Sequence, residues 1–164
     1  MVPSTNAVSK ESSVSYRSSQ EIKRFWKSSK HPEIRKDATG VKMLVAGWSL
    51  TKACNLNCIH CYNASGKRDP NELTLDECFK VVDKLKDSGV VAVNFGGGEC
   101  ALRPDFIDLC KYIKSKDIAI SYTTNGTTFN RIKDHLDLFH DIGVSLDFAD
   151  AEKHDLFRGR KGTF

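Results

Sequence analysis

The sequence lacks any long apolar stretch: no segment of its 164 residues approaches the roughly 20 consecutive apolar residues that a membrane-spanning helix needs. It also lacks a strong charge of either sign, because 25 basic and 21 acidic residues are interspersed and leave a net charge of only +4. The first residues, MVPSTNAVSKESSVSYRSS, lack the apolar core of a secretory signal. These absences favour a cytosolic protein with neither a membrane nor a nucleic acid as its partner.

The chain divides into two parts of different composition. Residues 1–40 have little apolar periodicity and carry nine serines in the first thirty positions, so we expect a partly disordered extension with EIKRFWK as a short amphipathic helix. Residues 41–164 alternate short apolar runs with helical patterns, which is typical of βα units around a parallel sheet. The folded domain is therefore predicted over residues 41–164.

Within this domain, four strand-like runs are separated by three segments of helical periodicity. The strands are VKMLVAGWSL, VVAVNF, IAISYTT and GVSLDFA. The first helix should begin at Thr74, with Glu77 completing a capping box, and end at Gly89. The third should run through 129–139 and stop at Gly143.

The repeats predict an α/β fold that is either a doubly wound sheet or a barrel, and in both the chemistry collects at the carboxyl ends of the strands. The sequence ends at KGTF, soon after the fourth strand and before a helix that would cover it is evident. We therefore expect the sequence to be cut short within the fold.

The six cysteines are unevenly distributed, since three of them fall within the eight residues CNLNCIHC. Cys54, Cys58 and Cys61 have the spacing C-x3-C-x2-C in a polar loop, close enough for three thiolates to reach one inorganic cluster. A structural zinc site closes its shell with four ligands, whereas three thiolates leave one position open for a small molecule. Cys78 and Cys110 lie on apolar helix faces, where we expect core packing.

Two further motifs follow predicted strands. Gly97-Gly98-Glu99 comes after the second strand and, taken alone, is typical of a ligand-free turn or a phosphate-binding turn, although the negative charge of Glu99 argues against phosphate. Asn125-Gly126 comes after the third strand and is typical of a turn. Both motifs fall where the strand ends should meet.

Together these motifs resemble those of a known family. CNLNCIHC, followed by Tyr62, resembles the cluster-binding loop of the radical S-adenosylmethionine (SAM) superfamily. The Gly97-Gly98-Glu99 turn resembles its glycine-glycine-glutamate motif, TTNGT the segment that follows, and VSLDFADAEKHDLFRG its fourth-strand region. The resemblance implies the first four βα units of a partial (βα)6 TIM-like barrel. It also implies that the three clustered cysteines bind a 4Fe-4S cluster whose open iron is chelated by SAM.

The resemblance further implies which residues contact SAM. Gly97 and Gly98 would present strand-end polar groups to the SAM ammonium without side-chain obstruction, and Glu99 would offer it a carboxylate. His60 occupies a position where the family often has an aromatic residue beside the adenine.

By the same resemblance, short hydroxyls at two strand ends would reach the SAM carboxylate or ribose. These belong to Thr124 and Ser145, at the ends of the third and fourth strands. The neighbouring side chains of Asn125 and Asp147 are alternatives for this role, or serve only as turn caps.

Two features leave alternatives open. The clustered cysteines can also be read as a zinc knuckle completed by His60 or Cys100, although His60 and Cys61 are adjacent and awkward as a ligand pair. Cys100 stands where the family commonly has proline, and its thiol is either inert packing, a substrate-side or proton-donating group, or a fourth ligand that spoils SAM access.

Three further histidines show no ligand-like spacing. His135, His140 and His154 are separated by intervals that place no two of them at a metal-binding repeat. We expect them at the surface or at helix ends.

The implied function is cleavage of SAM by the reduced cluster, giving a 5′-deoxyadenosyl radical that abstracts hydrogen from a substrate. Within the family, the sequence resembles members that mature ribosomally made peptides or build cofactors. Expected partners are a one-electron donor such as flavodoxin or ferredoxin and a peptide or small-molecule substrate. The alternatives are a fragment that binds a cluster without turnover and a non-catalytic metal-binding module.

Overall fold

The computed structural model describes residues 44–164, so the serine-rich extension and the EIKRFWK segment lie outside the described residues. Its sheet has four parallel strands: β1 (Leu44–Thr51), β2 (Val90–Gly97), β3 (Ala119–Thr124) and β4 (Asp141–Val144). Their spatial order, β1-β2-β3-β4, follows the chain without the reversal of a doubly wound sheet. Sequential order is that of a barrel wall, which decides between the two predicted architectures.

α-Helices connect β1 to β2 and β2 to β3. The first, α1 (Leu75–Asp87), begins at the predicted capping box, in which the Thr74 hydroxyl accepts from the Glu77 N–H and the Glu77 carboxylate accepts from the Thr74 N–H. It ends before Gly89, whose φ of +79° is a left-handed conformation that glycine adopts without strain. The second, α2 (Phe106–Ser115), buries Phe106, Leu109, Cys110 and Ile113 along one face.

The core lies where α1 and α2 pack against the sheet. The ring of Phe106 packs at its centre, with centroids 5.4 Å from Phe95 and 5.1 Å from Tyr122. Cys78 and Cys110 are fully buried there, as predicted for helix-face cysteines. Burial raises the pKa of the Cys110 thiol, which keeps it protonated and unreactive.

The third predicted helix is wrong in type and in its end. Two 3-10 segments, Phe129–Arg131 and Lys133–Leu138, occupy this stretch, and the second is kinked at position 135. An apolar spacing of three residues suits a 3-10 turn as well as an α-helix. The backbone N–H at position 140 already donates to the Ile120 carbonyl at 2.7 Å, β4 begins at Asp141, and Gly143 therefore lies inside β4.

The predicted end of the fourth strand is also wrong. Pairing with β3 stops at Val144, and the next apolar side chains, Leu146 and Phe148, are exposed. A helix then forms before the chain ends, contrary to the prediction: α3 (Ala151–Arg158), with the Asp150 carboxylate accepting from the Lys153 N–H as its N-cap. Among the described residues, no helix combines the length and apolarity that crossing a membrane requires.

Candidate functional site

A cavity of about 600 Å³ opens at the carboxyl ends of the strands. It is lined by residues from the loops that follow β1, β2 and β3, together with the segment after β4 and the end of α3. All nine site residues predicted from the sequence lie around it: Cys54, Cys58, His60, Cys61, Gly97, Gly98, Glu99, Thr124 and Ser145. Residues up to 91 positions apart are thereby gathered at one place, as the common edge of parallel strands predicts.

The cysteine loop, residues 52–66, follows β1, and its two ends lie side by side. Cys54 N–H donates to the Gly66 carbonyl and Gly66 N–H donates to the Lys52 carbonyl, each at 2.8 Å, which pins the two ends of the loop together. Glu72 holds the same place from outside, because its carboxylate accepts from the Thr51 hydroxyl at 2.7 Å and the Lys52 N–H at 2.8 Å. The loop is therefore an ordered unit whose ends are fixed.

Each thiol of the loop accepts a different N–H donor. The Asn125 amide lies 3.9 Å from the Cys54 sulfur, the Arg158 guanidinium 3.8 Å from Cys58, and the Ser65 backbone N–H 3.3 Å from Cys61. The Ser65 hydrogen bond lowers the pKa of the Cys61 thiol, whereas burial raises the pKa of Cys54. Donors of this kind stabilise sulfur that carries negative charge.

The two glycines of the β2 turn are required by the cysteine loop. Gly98 N–H donates to the Thr51 carbonyl at 2.7 Å, and a Cβ at Gly98 would lie 2.1 Å from the Ala53 carbonyl oxygen. A Cβ at Gly97, where φ is +104°, would lie 2.7 Å from the Thr51 oxygen. The glycines thus allow the turn to pack directly on the backbone that leads into the cysteines.

Glu99 is a buried carboxylate that binds four donors. One oxygen accepts from the hydroxyls of Tyr122, Thr124 at 2.8 Å and Thr128 at 2.6 Å, and the other accepts from the Asn125 N–H at 2.9 Å. The side chain is only 1% exposed. Glu99 lines the cavity and its oxygen with a single donor retains acceptor capacity, while the rest of the network fixes the turn after β3.

Comparison with known proteins identifies the family. Residues 48–164 match the sequence profile described as the Radical SAM superfamily. This chain belongs to the radical SAM superfamily.

Several curated relatives of this radical SAM chain are more than 30% identical to it. Mycofactocin maturase MftC of Mycolicibacterium smegmatis is 42% identical over 120 residues, which cover 71% of this chain and 30% of the relative. AdoMet-dependent heme synthase of Methanosarcina barkeri is 38% identical over 130 residues, covering 77% and 37%. The subtilosin biosynthesis protein AlbA of Bacillus subtilis is 35% identical over 127 residues, covering 74% and 28%. The chain spans about a third of the length of these relatives.

Solved structures confirm the α/β fold. SuiB of Streptococcus suis, bound to S-adenosylmethionine, superposes with a TM-score of 0.63 at 20% identity over 73% of this chain and 28% of that protein. The structure of anSMEcpe with bound AdoMet superposes with a TM-score of 0.57 at 22% identity over 72% of this chain and 35% of that protein. At these identities the likeness shows the fold, which is that of the TIM-like radical SAM barrels.

The donor set of the cavity fits the cofactors of this family. Within residues 44–164, no group of three or more His, Cys, Asp or Glu side chains is placed to hold a single metal ion. A cluster makes a different demand, because each cysteine binds a separate iron and the sulfurs need not converge on one point. Three free thiols around one cavity, each with an N–H donor, meet that demand.

Sequence reasoning missed two polar side chains of the site. Arg158, at the end of α3, is 9% exposed, lines the cavity and donates to the Asp147 carboxylate at 2.6 Å. Asn63 donates to the Gly97 carbonyl at 3.1 Å and so orients that carbonyl. Arg158 lies within the fourth-strand region that resembles the family, but the residues around it in sequence do not distinguish it from a surface arginine.

His60 lies at the cavity but is stacked on another ring. Its imidazole faces the ring of Phe157 with centroids 4.0 Å apart and planes 11° apart. The backbone N–H of Ile59 also donates to the Phe157 carbonyl at 3.2 Å. The contact is consistent with a flat surface beside a bound base, and a role toward adenine stays a prediction.

Cys100 lies in the core and does not line the cavity. It is fully buried, its thiol lies 3.3 Å from the Gly96 carbonyl, and burial raises its pKa to about 12. Of the three alternatives, inert packing fits this position, because a thiol pointing into the core contacts neither cluster nor substrate.

The prediction of a surface or helix-end position is wrong for His154. This residue lies within α3 and is 1% exposed. Its Nδ1 accepts from the Asp147 N–H at 3.3 Å, which ties the segment after β4 to the helix. Burial of this imidazole is tolerated because its Nδ1 atom has a hydrogen-bond donor.

Proposed function

We propose that this chain forms the cofactor-binding part of a radical SAM enzyme. Cys54, Cys58 and Cys61 hold three irons of a 4Fe-4S cluster, and SAM binds the fourth. When bound, this pair supplies reductive cleavage of SAM to a 5′-deoxyadenosyl radical, which abstracts hydrogen from a substrate. The observation that carries the proposal is the gathering of three free thiols, each with its own N–H donor, around the cavity.

The chain's own residues would bind and orient SAM at the strand ends. The Gly97 carbonyl, oriented by Asn63, and the acceptor oxygen of Glu99 suit an ammonium group. The guanidinium of Arg158 is the charged donor at the cavity wall that suits a carboxylate. The Thr124 hydroxyl is committed to Glu99, so a role for it toward SAM runs through Glu99.

Ser145 and His60 complete the proposed pocket. The backbone N–H of Ser145 donates to the Thr124 carbonyl at 3.0 Å, which fixes a short hydroxyl side chain at the cavity. We assign this hydroxyl to the SAM ribose or carboxylate. The stacked imidazole of His60 is assigned to the adenine face.

We further propose a peptide substrate, with a small cofactor precursor as the second candidate. The relatives with 42% and 35% identity are named as a maturase and a bacteriocin biosynthesis protein, and one SuiB structure holds a precursor peptide. The heme synthase relative supports the second candidate. A cytosolic one-electron donor such as flavodoxin or ferredoxin would reduce the cluster, and six free cysteines suit a reducing compartment.

Anaerobic reconstitution with iron and sulfide tests the cluster. The chain should turn brown and bind about four irons, as a 4Fe-4S centre requires. Cys58→Ala should lose this cluster, whereas Cys78→Ala, which removes a buried thiol remote from the cavity, should keep it. A colourless wild-type protein that binds zinc instead would establish the metal-binding module.

Release of 5′-deoxyadenosine from SAM under a strong reductant tests the reaction. Production by this chain establishes SAM cleavage by residues 1–164 alone. Production only by a longer version would identify these residues as a fragment that binds the cluster without turnover.

A further inference from the structure

The turn after β3 contacts the cysteine loop through the side chain of Asn125. Its amide nitrogen lies 3.9 Å from the Cys54 sulfur and donates to the Asn55 side-chain oxygen at 3.0 Å. Its side-chain oxygen accepts from the Thr127 N–H at 2.9 Å and the Thr127 hydroxyl at 2.6 Å. One side chain therefore serves both the turn and the loop.

The orientation of this amide is fixed by its partners. A backbone N–H is only a donor, so the Asn125 atom that faces the Thr127 N–H must be the oxygen. The NH2 group therefore faces Cys54 and Asn55. The opposite orientation would set two donors against each other at Thr127 and leave the sulfur facing an oxygen.

The contact is held in place from both sides. Asn55 donates from its own amide to the Thr127 hydroxyl at 2.8 Å, which closes a ring of side-chain hydrogen bonds between Asn55, Thr127 and Asn125. The Asn125 backbone N–H is anchored separately on Glu99 at 2.9 Å. A donor fixed in this way does not need to reorganise when charge on the neighbouring sulfur changes.

We propose that Asn125 is a positioning residue that raises the reduction potential of the cluster through its N–H contact with Cys54. The inference rests on the proposed function, because it requires a cluster bound by Cys54. Reduction adds negative charge to the cluster and its thiolates, and a nearby N–H dipole stabilises the reduced state more than the oxidised one. Asn125 would thus make it easier for the cluster to accept the electron that is needed for SAM cleavage.

Asn125 is the donor at which this effect can be isolated. Cys61 receives its hydrogen bond from the Ser65 backbone, which no side-chain substitution removes. Cys58 receives its bond from Arg158, whose removal also deletes a positive charge and the ion pair with Asp147. Asn125 donates to its sulfur from a neutral amide, so its loss changes a dipole without changing net charge.

The test is a potentiometric titration of the reconstituted cluster without SAM, followed by electron paramagnetic resonance. Asn125→Ala should be harder to reduce by up to about tenfold in the equilibrium constant, or about 59 mV for a one-electron couple. Thr127→Val is the matched control, since it removes the ring hydroxyl while the backbone N–H at position 127 still orients the Asn125 amide. Its potential should stay close to that of the wild type.

Asn125→Asp keeps the oxygen that Thr127 contacts, so it preserves the turn if the alanine variant unfolds. Its carboxylate should lower the potential further than alanine does, because it also places a negative charge near the sulfur. Potentials for the alanine and aspartate variants that equal the wild-type value would overturn the inference, as would a fall in Thr127→Val as large as in Asn125→Ala. Iron and sulfide content, measured first, separates this result from failure of the proposed function, in which the wild type holds no 4Fe-4S cluster and both claims fall.

Discussion

Replacing Gly98 with alanine should uncouple the β2 turn from the cysteine loop. The added carbon would lie 2.1 Å from the Ala53 carbonyl oxygen, whereas ordinary contact begins at 3.4 Å, so the two backbones must separate by more than 1 Å. That movement breaks the Gly98 N–H bond to Thr51 at 2.7 Å and the Glu99 N–H bond to Ala53 at 2.8 Å.

The expected loss of stability combines the two broken hydrogen bonds with the steric cost of the added methyl group. Each backbone hydrogen bond contributes about 0.5–1.5 kcal/mol net, and forcing a methyl group into a packed contact costs about 1–3 kcal/mol. Together these contributions predict that Gly98→Ala lowers the free energy of unfolding by about 2–6 kcal/mol. The same separation should reduce the iron bound on reconstitution.

Urea unfolding followed by circular dichroism measures the effect, with Gly66→Ala as the matched control. Gly66 pairs with the same residue, Ala53, but a Cβ there meets nothing within 4 Å and its φ is not positive. The control should leave stability unchanged or raise it by up to about 1 kcal/mol through the stiffer unfolded chain. Equal stabilities for Gly98→Ala and Gly66→Ala would refute the role given to the close approach.

Three further substitutions test other parts of the fold. Thr74→Ala removes the α1 capping box and should cost about 1 kcal/mol in urea unfolding. Tyr122→Phe removes a buried hydroxyl donor to Glu99 and should cost about 1–3 kcal/mol, which an unchanged denaturation midpoint would contradict. The Gly162 N–H and its neighbours hold the pKa of Asp155 at about 2, so its stabilisation is complete above its ordinary pKa and is lost as pH falls through about 2. Carboxyl carbon chemical shifts measured against pH check this value, and Asp155→Asn should abolish the titration.

The βα order could be predicted because its signals are local. Apolar runs, the capping box at Thr74 and the glycine after α1 all depend on neighbours within a few residues. The 129–139 segment failed for the same reason, since its apolar spacing fits an α-helix and a 3-10 turn equally. The tertiary pairing of position 140 with β3 decided the outcome, and no local pattern records it.

The site residues could be predicted as a set, whereas their partners could not. Motif resemblance named the residues around the cavity, but the donors to Glu99 come from β3 and the segment that follows it. The burial of His154 likewise depends on a backbone N–H seven residues earlier, at Asp147. Such contacts depend on how the loops pack against one another at the strand ends. The periodicity of a single sequence does not report this packing.

The packing of α3 on the cysteine loop has a consequence for synthesis. Gly159 lies so close to Asn57 that a Cβ there would be 2.2 Å from the Asn57 oxygen, and the Arg158 contact to Cys58 spans 100 residues of chain. At typical translation rates of about 5–20 residues per second, the thiols leave the ribosome roughly 5–20 s before that partner exists. During this interval the thiols lack the contacts that α3 supplies, so the surroundings of Cys58 are complete only after the last described helix has been made and has folded.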